Sequence, residues 1–180
     1  MIRIIKIILS IVGVSLIGLL AYQGISYKLE QLKTADAGIS PVTAEVRDKQ
    51  LDCLAKNIYH EAKGEPFEGK VAVAQVTINR ANSGQFPSDI CKVVYQKNVV
   101  YEKVLCQFSW YCDGKSDIMR NASKREEIIK FTEYVLSNKF DLDITDGATH
   151  YHADYVYPAW AKTKTKTIEI GDHIFYRWEK

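Results

Sequence analysis

Residues 51–80 read LDCLAKNIYHEAKGEPFEGKVAVAQVTINR, and this stretch decides the fold of the chain. Apolar side chains recur every three or four residues from Leu51 to Ala62, which predicts a helix with one buried face. Glu61 falls on the flank of that apolar stripe. Partial desolvation raises the pKa of a carboxyl group toward the range that suits a general acid. Glu61 is therefore the candidate catalytic acid, with a surface ion pair as the alternative.

The residues that follow predict a turn and a second helix. Gly64, Pro66 and Gly69 suit a sharp turn, which would place Glu61 at a helix end beside a loop. The next run, 67–80, combines strand-prone residues with helical spacing, and we predict a helix. A zinc-protease helix is excluded because its second histidine would stand at Gly64.

Several motifs in this order resemble those of the SleB-type cell-wall hydrolases, the spore-cortex-lytic family. The resemblance extends over about residues 51–178, and two family positions differ here: Lys63 replaces the usual Arg, and residues 148–152 are more polar than is common. The motifs that carry the resemblance are NIYHEAKGEP (57–66), GKVAVAQV (69–76), Asn79-Arg80, Phe86-Pro87, Cys91, VVYQ (93–96), CQFS (106–109), CDG (112–114), Gly147-Ala148, Tyr151-His152 and GDHIFY (171–176).

The resemblance implies a fold, an activity and a set of site residues. We expect an α+β domain, mainly helical and lysozyme-like with a small β region. The implied activity cuts peptidoglycan glycan strands between N-acetylmuramic acid and N-acetylglucosamine, with Glu61 as the acid. No cofactor and no metal are expected. Candidate substrate-binding residues, several with aromatic, amide or hydroxyl groups that suit sugars, are Glu65, Gln107, Phe108, Ser109, Tyr151 and His152.

Two chemical outcomes remain open for a glycan-cutting enzyme. A hydrolase needs a second carboxylate, for which Glu65, Asp113 and Asp143 are candidates. A lytic transglycosylase needs only one carboxyl group, because the 6-hydroxyl of muramic acid attacks and gives a 1,6-anhydro product. The resemblance and the single well-placed Glu61 favour the transglycosylase.

Two other classes of function compete with this interpretation. His150, His152 and Asp154 alternate along a predicted strand, as the ligands of a zinc peptidase or amidase would. The high aromatic content would also suit an anchored wall-binding module without enzymatic activity.

The N-terminus predicts a membrane segment. Arg3 and Lys6 precede an uncharged run at 7–27, whose 21 residues are enough to cross a bilayer. This charge pattern predicts a cytoplasmic N-terminus and a catalytic domain on the extracytoplasmic side, periplasmic or at the cell wall. An uncleaved anchor at 1–27 is favoured over a cleaved signal peptide. Glycines and serines in the run also allow a span that leaves the membrane, as in signal-arrest-release endolysins of phages.

The remaining chain is predicted to contain a tether and one domain. Residues 28–49 are polar without an apolar period and predict a tether, and residues 50–180 predict the catalytic domain. The chain has 180 residues, 47% hydrophobic and 26% charged, with a net charge of +2. This composition argues against nucleic-acid binding. We expect a monomer that acts on peptidoglycan and contacts the membrane only through its N-terminal helix.

The even number of cysteines, four, predicts disulfides in an exported domain. Two disulfides are favoured over free thiols or a zinc site, and three pairings are open. A bridge from Cys53 would pin the helix that carries Glu61. Farther along, we predict a short helix capped by Ser88, β structure within 99–110, a helix from a capping box at Ser123 to Asn138, and a hairpin over 167–178.

Overall fold

The computed structural model describes residues 18, 22–24, 26, 41–137 and 142–178. The chain divides into two compact units, Met1–Glu45 and Val46–Lys180, and the second holds the candidate catalytic domain. The predicted membrane segment at 7–27 lies outside the described residues, apart from positions 18, 22–24 and 26. None of the described helices is both long enough and apolar enough to cross a membrane.

The domain is α+β, as predicted. Its helices are α1 (Pro41–Ala62), α2 (Phe67–Asn82), α3 (Ile90–Val94) and α4 (Ala122–Leu136), with 3-10 turns at Ser109–Cys112 and Ala159–Thr163. Its strands are β1 (Lys97–Val100), β2 (Lys103–Cys106), β3 (His150–Ala153), β4 (Thr165–Ile170) and β5 (His173–Arg177). The first two strands form a hairpin, and the others form an antiparallel sheet of order β3-β5-β4.

Helix α1 begins earlier than the sequence pattern indicates. The helix starts at Pro41 rather than Leu51, so residues 41–49 of the predicted tether are helical. Proline suits the first helical position because its fixed φ is already helical and its missing N–H has no partner there. The apolar period reports only the part of a helix that is packed, so it could not reveal the exposed first turns.

Helix α2 lies at the centre of the domain, which explains its ambiguous sequence. Val73 and Ala74 pack with the buried stripe of α1 and with Ile128 of α4. Ala72 and Val76 pack on the other side against Phe175 of the sheet. A helix buried on opposite sides is apolar all round, so its pattern resembles that of a buried strand. The predicted helix at 67–80 is confirmed.

Two helix starts differ from the prediction by one or two residues. Helix α3 is capped by Asp89 rather than Ser88, and Asp89 accepts a hydrogen bond from the backbone N–H of Lys92 at 2.8 Å. Helix α4 is capped by Asn121 rather than Ser123, with a 2.9 Å bond from the Lys124 N–H. Asp and Asn are at least as good as Ser at this position, so the nearby acceptors compete. The predicted end of α4 at Asn138 lies outside the described residues.

The β structure follows the predicted hairpins more closely. The C-terminal hairpin is confirmed as β4 and β5, with Gly171 at a φ of +58° in the turn between them. The predicted β structure within 99–110 is shorter than expected, because the chain turns at Tyr101 and Glu102 and forms a 3-10 turn from Ser109.

Both disulfides form, as predicted. Cys53 of α1 pairs with Cys91 of α3, and Cys106 pairs with Cys112. The first bridge fixes α1 eight residues before Glu61. The second closes a loop around Gln107, Phe108 and Ser109.

A buried asparagine joins α1 to the same loop. Asn57 is fully buried, donates to the hydroxyl of Thr77 at 3.1 Å and accepts from the indole N–H of Trp110 at 3.1 Å. These bonds tie α1, α2 and the Ser109–Cys112 turn together behind the candidate site.

Candidate active site

Glu61 occupies the last turn of α1 and lines a pocket of about 270 Å³. Its Oε2 accepts a hydrogen bond from the hydroxyl of Tyr151 at 2.9 Å. The structure thus brings together residues from α1, α2, the disulfide-closed loop and β3. The lining includes Glu61, Arg80, Gln107, Phe108, Ser109 and Tyr151.

The environment of Glu61 favours its protonated form. Burial raises the pKa of Glu61 above its ordinary value, while the Tyr151 hydroxyl and the positive charge of Arg80 oppose that rise. Burial also raises the pKa of Tyr151 well above its ordinary value, so its hydroxyl remains a donor at neutral pH. A carboxyl group of this kind holds a proton that it can give to a substrate oxygen.

Arg80 is a buried cation behind the pocket. It is 4% exposed, and its Nε donates to the backbone carbonyl of Thr149 at 2.6 Å. Its guanidinium group lies over the rings of Phe86 and Phe108, at 5.3 and 5.1 Å from their centroids. Burial lowers the pKa of Arg80 to about 10, so the group stays charged at neutral pH.

Arg80 also orients one wall of the pocket. When the Gln107 amide is turned so that its oxygen faces Arg80, it accepts bonds from both terminal nitrogens at 3.2 Å. The amide nitrogen of Gln107 is then the group left to face other partners. Arg80 belongs to the Asn79-Arg80 motif, but nothing in the spacing of that motif reveals that Arg80 is buried.

Two more pocket residues had no predicted role in binding glycan. His150 and Trp160 line the pocket, with ring centroids 5.4 Å apart. Burial, assisted by the charges of Arg80 and Lys164, lowers the pKa of His150 to about 3, so this imidazole is neutral at neutral pH. Consecutive residues of a strand point to opposite faces, yet His150 and Tyr151 of the edge strand β3 both line the pocket.

Four of the six predicted substrate-binding residues line the pocket. Gln107, Ser109 and Tyr151 are partly exposed or exposed, whereas Phe108 is only 3% exposed. Phe108 packs with Val93 and Trp110, so most of its ring belongs to the core. Contact with substrate stays a prediction for all four residues.

The structure places Glu65 and His152 away from this pocket. Glu65 Oε2 accepts the backbone N–H of Asp172 at 3.2 Å, and its Oε1 lies 3.6 Å from Nδ1 of His173. Glu65 therefore joins the turn before α2 to the turn between β4 and β5. His152 is 7% exposed, stacks on Tyr176 and contacts its hydroxyl at 3.0 Å. Both residues make contacts that hold the fold together, and contact with substrate stays a prediction for them as well.

The histidine arrangement also bears on the zinc hypothesis. His150 faces Trp160 and the pocket, while His152 is bonded to Tyr176. Among residues 41–137 and 142–178, no group of three or more metal-binding side chains is found.

The sequence profile of the cell wall hydrolase family matches residues 64–176. The chain belongs to this family. The match covers more than half of the chain and begins three residues after Glu61.

Curated relatives of the cell wall hydrolase are spore cortex-lytic enzymes. That of Halalkalibacterium halodurans is 30% identical over 74% of this chain and 36% of its own length. That of Bacillus subtilis is 28% identical over 78% of this chain and 41% of its own length. The chain therefore spans about two fifths of the length of these relatives.

Two solved structures resemble this chain over most of their own length. The catalytic domain of the Bacillus cereus SleB protein is 26% identical with a TM-score of 0.54, over 72% of this chain and 91% of that one. The catalytic domain of a germination-specific lytic transglycosylase, SleB from Bacillus anthracis, is 26% identical with a TM-score of 0.53, over 71% and 93%. The chain is thus a SleB-type cell wall hydrolase.

Proposed function

We propose that this protein cleaves the glycosidic bond between N-acetylmuramic acid and N-acetylglucosamine in peptidoglycan as a lytic transglycosylase. Glu61 is its single acid and base. Support comes from family membership, from the pocket around Glu61 and from the similarity to a domain described as a lytic transglycosylase. In this proposal residues 1–27 anchor a monomeric, lysozyme-like domain on the extracytoplasmic side.

The reaction uses one proton held by one carboxyl group. Protonated Glu61 gives its proton to the glycosidic oxygen as the bond to C1 of muramic acid breaks, and C1 becomes oxocarbenium-like. The Glu61 carboxylate then takes the proton of the 6-hydroxyl as that oxygen attacks C1. The products are a 1,6-anhydromuramic end and a free 4-hydroxyl on N-acetylglucosamine, and Glu61 is protonated again.

The observation that carries this proposal is the engagement of the other candidate carboxylates elsewhere. Glu65 binds the β4–β5 turn. Asp113 bonds the N–H of Lys115 at 2.8 Å. Asp143 closes its own turn, accepting the N–H groups of Thr145 and Gly147. Within the described part of the chain, Glu61 is the carboxylate that lines this pocket.

The surrounding groups support both steps. The Tyr151 hydroxyl bonds Oε2 of Glu61, which fixes the orientation of the carboxyl group. The fixed charge of Arg80 limits the rise in the pKa of Glu61, so the group can give up its proton as well as hold it. Gln107, Ser109, Trp160 and neutral His150 supply hydrogen-bonding groups and an aromatic surface for the sugars.

Digestion of purified peptidoglycan by the full chain tests the proposal. Mass spectrometry of the soluble products should find anhydromuropeptides. Glu61→Gln should reduce their release by roughly 10²- to 10⁴-fold, the usual contribution of general acid–base catalysis. Glu68→Gln, an exposed change of the same kind on α2, should have no effect.

Other products would support other functions. Reducing-end sugars would indicate a muramidase or glucosaminidase with a second carboxylate. Freed peptides with intact glycan, and activity lost in chelator, would indicate a zinc peptidase or amidase. Binding without any product would indicate a wall-binding module.

A further inference from the structure

A second pocket, of about 510 Å³, is lined by chain neighbours of residues in the Glu61 pocket. The two divide consecutive residues between them: His60 lines one and Glu61 the other, and Trp110 lines one and Ser109 the other. Both pockets are therefore lined by the end of α1 and by the Ser109–Cys112 turn. We call the second one the flanking pocket and define it by Tyr59, His60, Lys63, Trp110, Lys115 and Arg120.

The floor of the flanking pocket is fixed by packing. The His60 ring stacks on Trp110, with centroids 4.6 Å apart and planes 17° apart. Nε2 of His60 lies 3.2 Å from the backbone carbonyl of Asp117. Trp110 is 8% exposed and bonds Asn57, so the stacked pair has a rigid support. A ligand would meet a preformed aromatic floor.

The rim of the flanking pocket is positively charged. Lys63, Lys115 and Arg120 are exposed, whereas Asp113 supplies the one acidic side chain in the lining. Three cations against one carboxylate leave two net positive charges. Lys63 is held near the floor, since its Nζ lies 5.0 Å from the centroid of the Tyr59 ring. Such a pocket favours an anionic ligand that also has an apolar part.

A peptidoglycan strand carries such groups close to bonds that this enzyme would cut. The peptide stems on its muramic acids contain alanyl methyl groups and free carboxylates. We infer that the flanking pocket binds this peptide stem, with its carboxylates at Lys63, Lys115 and Arg120. The inference rests on the proposed function, because a strand held at Glu61 would present the stem of a neighbouring muramic acid to a pocket lined by the same helix end and the same turn.

Sedimentation with purified peptidoglycan tests the inference separately from catalysis. The parent is the solubilised full chain carrying Glu61→Gln, which binds without cutting. The pocket variant adds Lys63→Gln, Lys115→Gln and Arg120→Gln. The control variant instead adds Lys92→Gln, Lys103→Gln and Lys162→Gln, which change the net charge equally at exposed sites outside the two pockets. Each protein is also tested on peptidoglycan whose carboxylates have been amidated.

The pocket variant should bind untreated peptidoglycan roughly tenfold more weakly than the parent, as expected for the loss of three partly exposed ionic contacts. The control should differ by less than about twofold. Amidation of the peptidoglycan should weaken binding by the parent by the same factor of about ten. It should not weaken binding by the pocket variant any further. Equal binding by all three proteins, no binding by the parent, or insensitivity to amidation would overturn the inference.

Two further results would distinguish phosphate binding in the flanking pocket from failure of the proposed function. If removal of phosphate-containing wall polymers, rather than amidation, weakens the parent, the pocket binds phosphate and the inference is wrong. Failure of the proposed function would appear elsewhere, as reducing-end sugars released by wild type, and would leave these binding comparisons intact.

Discussion

The hydrogen bond between Tyr151 and Glu61 sets how the candidate acid responds to pH. The bond stabilises the charged carboxylate and so lowers the pKa that burial has raised. Tyr151→Phe removes the bond and should raise the pKa of Glu61 further. The alkaline limb of kcat/KM, where Glu61 loses its proton, should then move to higher pH. A kcat/KM profile on soluble glycan fragments measures this, and a shift to lower pH would be incompatible with the assignment.

The buried Glu61 should also lower the free energy of unfolding at neutral pH. Its pKa in the folded protein lies above its unfolded value, so the unfolded chain ionises first as pH rises. Stability is therefore full below the ordinary pKa of 4.5 and falls as pH rises toward the folded value. Glu61→Gln should unfold at an equal or higher urea concentration than wild type at neutral pH, and this advantage should vanish in acid.

The urea midpoints of Glu61→Gln, Glu68→Gln and wild type check this expectation. The control on exposed Glu68 should match wild type. Strong destabilisation by Glu61→Gln at neutral pH would mean that Glu61 is a structural residue and that any loss of lysis reflects unfolding.

Among the elements, the junction of α1, α2 and the Ser109–Cys112 turn depends on Asn57. Asn57→Ala leaves the buried Trp110 indole N–H without its acceptor and opens a small cavity. We expect a loss of roughly 2–3 kcal/mol in the free energy of unfolding. Urea denaturation measures it, with Asn98→Ala on the exposed hairpin expected to stay within about 0.5 kcal/mol. Equal midpoints for the two variants would contradict this role of Asn57.

The elements also show what the sequence pattern could predict. Periodicity located the buried turns of α1, because burial creates that periodicity. For α2 the helical spacing competed with strand-prone residues, and the predicted helix at 67–80 ends two residues before the observed one at Asn82. The sequence pattern missed the first turns of α1 and indicated serines where Asp89 and Asn121 cap the next helices. Several side chains within a few residues can cap the same helix. Which of them does so depends on the path of the chain just before the helix.

The candidate site also contains some residues that a local sequence pattern could predict and others that it could not. Glu61 could be picked out because its helix is periodic, and the loop 107–109 because its motif is specific. Arg80, Glu65 and His152 are held by contacts with residues about 25 to 110 positions away in the chain. Such contacts exist only in the folded molecule, so no local pattern predicts them.

Across the whole molecule, the two disulfides should have different effects. Cys53–Cys91 spans 38 residues and Cys106–Cys112 spans 6. By loop entropy, the first contributes about 4 kcal/mol to stability and the second about 2 kcal/mol. Alanine pairs at each bridge, compared by urea denaturation, should keep that order.

Activity should follow the opposite order. The short loop carries Gln107 and Ser109 in the pocket, so Cys106→Ala with Cys112→Ala should lower kcat/KM more than the Cys53/Cys91 pair. The comparison is made at a temperature where all variants are folded. A larger loss of activity in the Cys53/Cys91 pair would contradict the idea that the second bridge shapes the pocket.

The central claim is that the 6-hydroxyl of muramic acid, and not water, completes the reaction begun by Glu61. Digestion of peptidoglycan in water enriched with heavy oxygen tests it directly. We predict anhydromuramic products that contain no heavy oxygen, formed by wild type and lost in Glu61→Gln. Reducing ends that carry heavy oxygen at C1 would show that water attacks, and the protein would be a hydrolase.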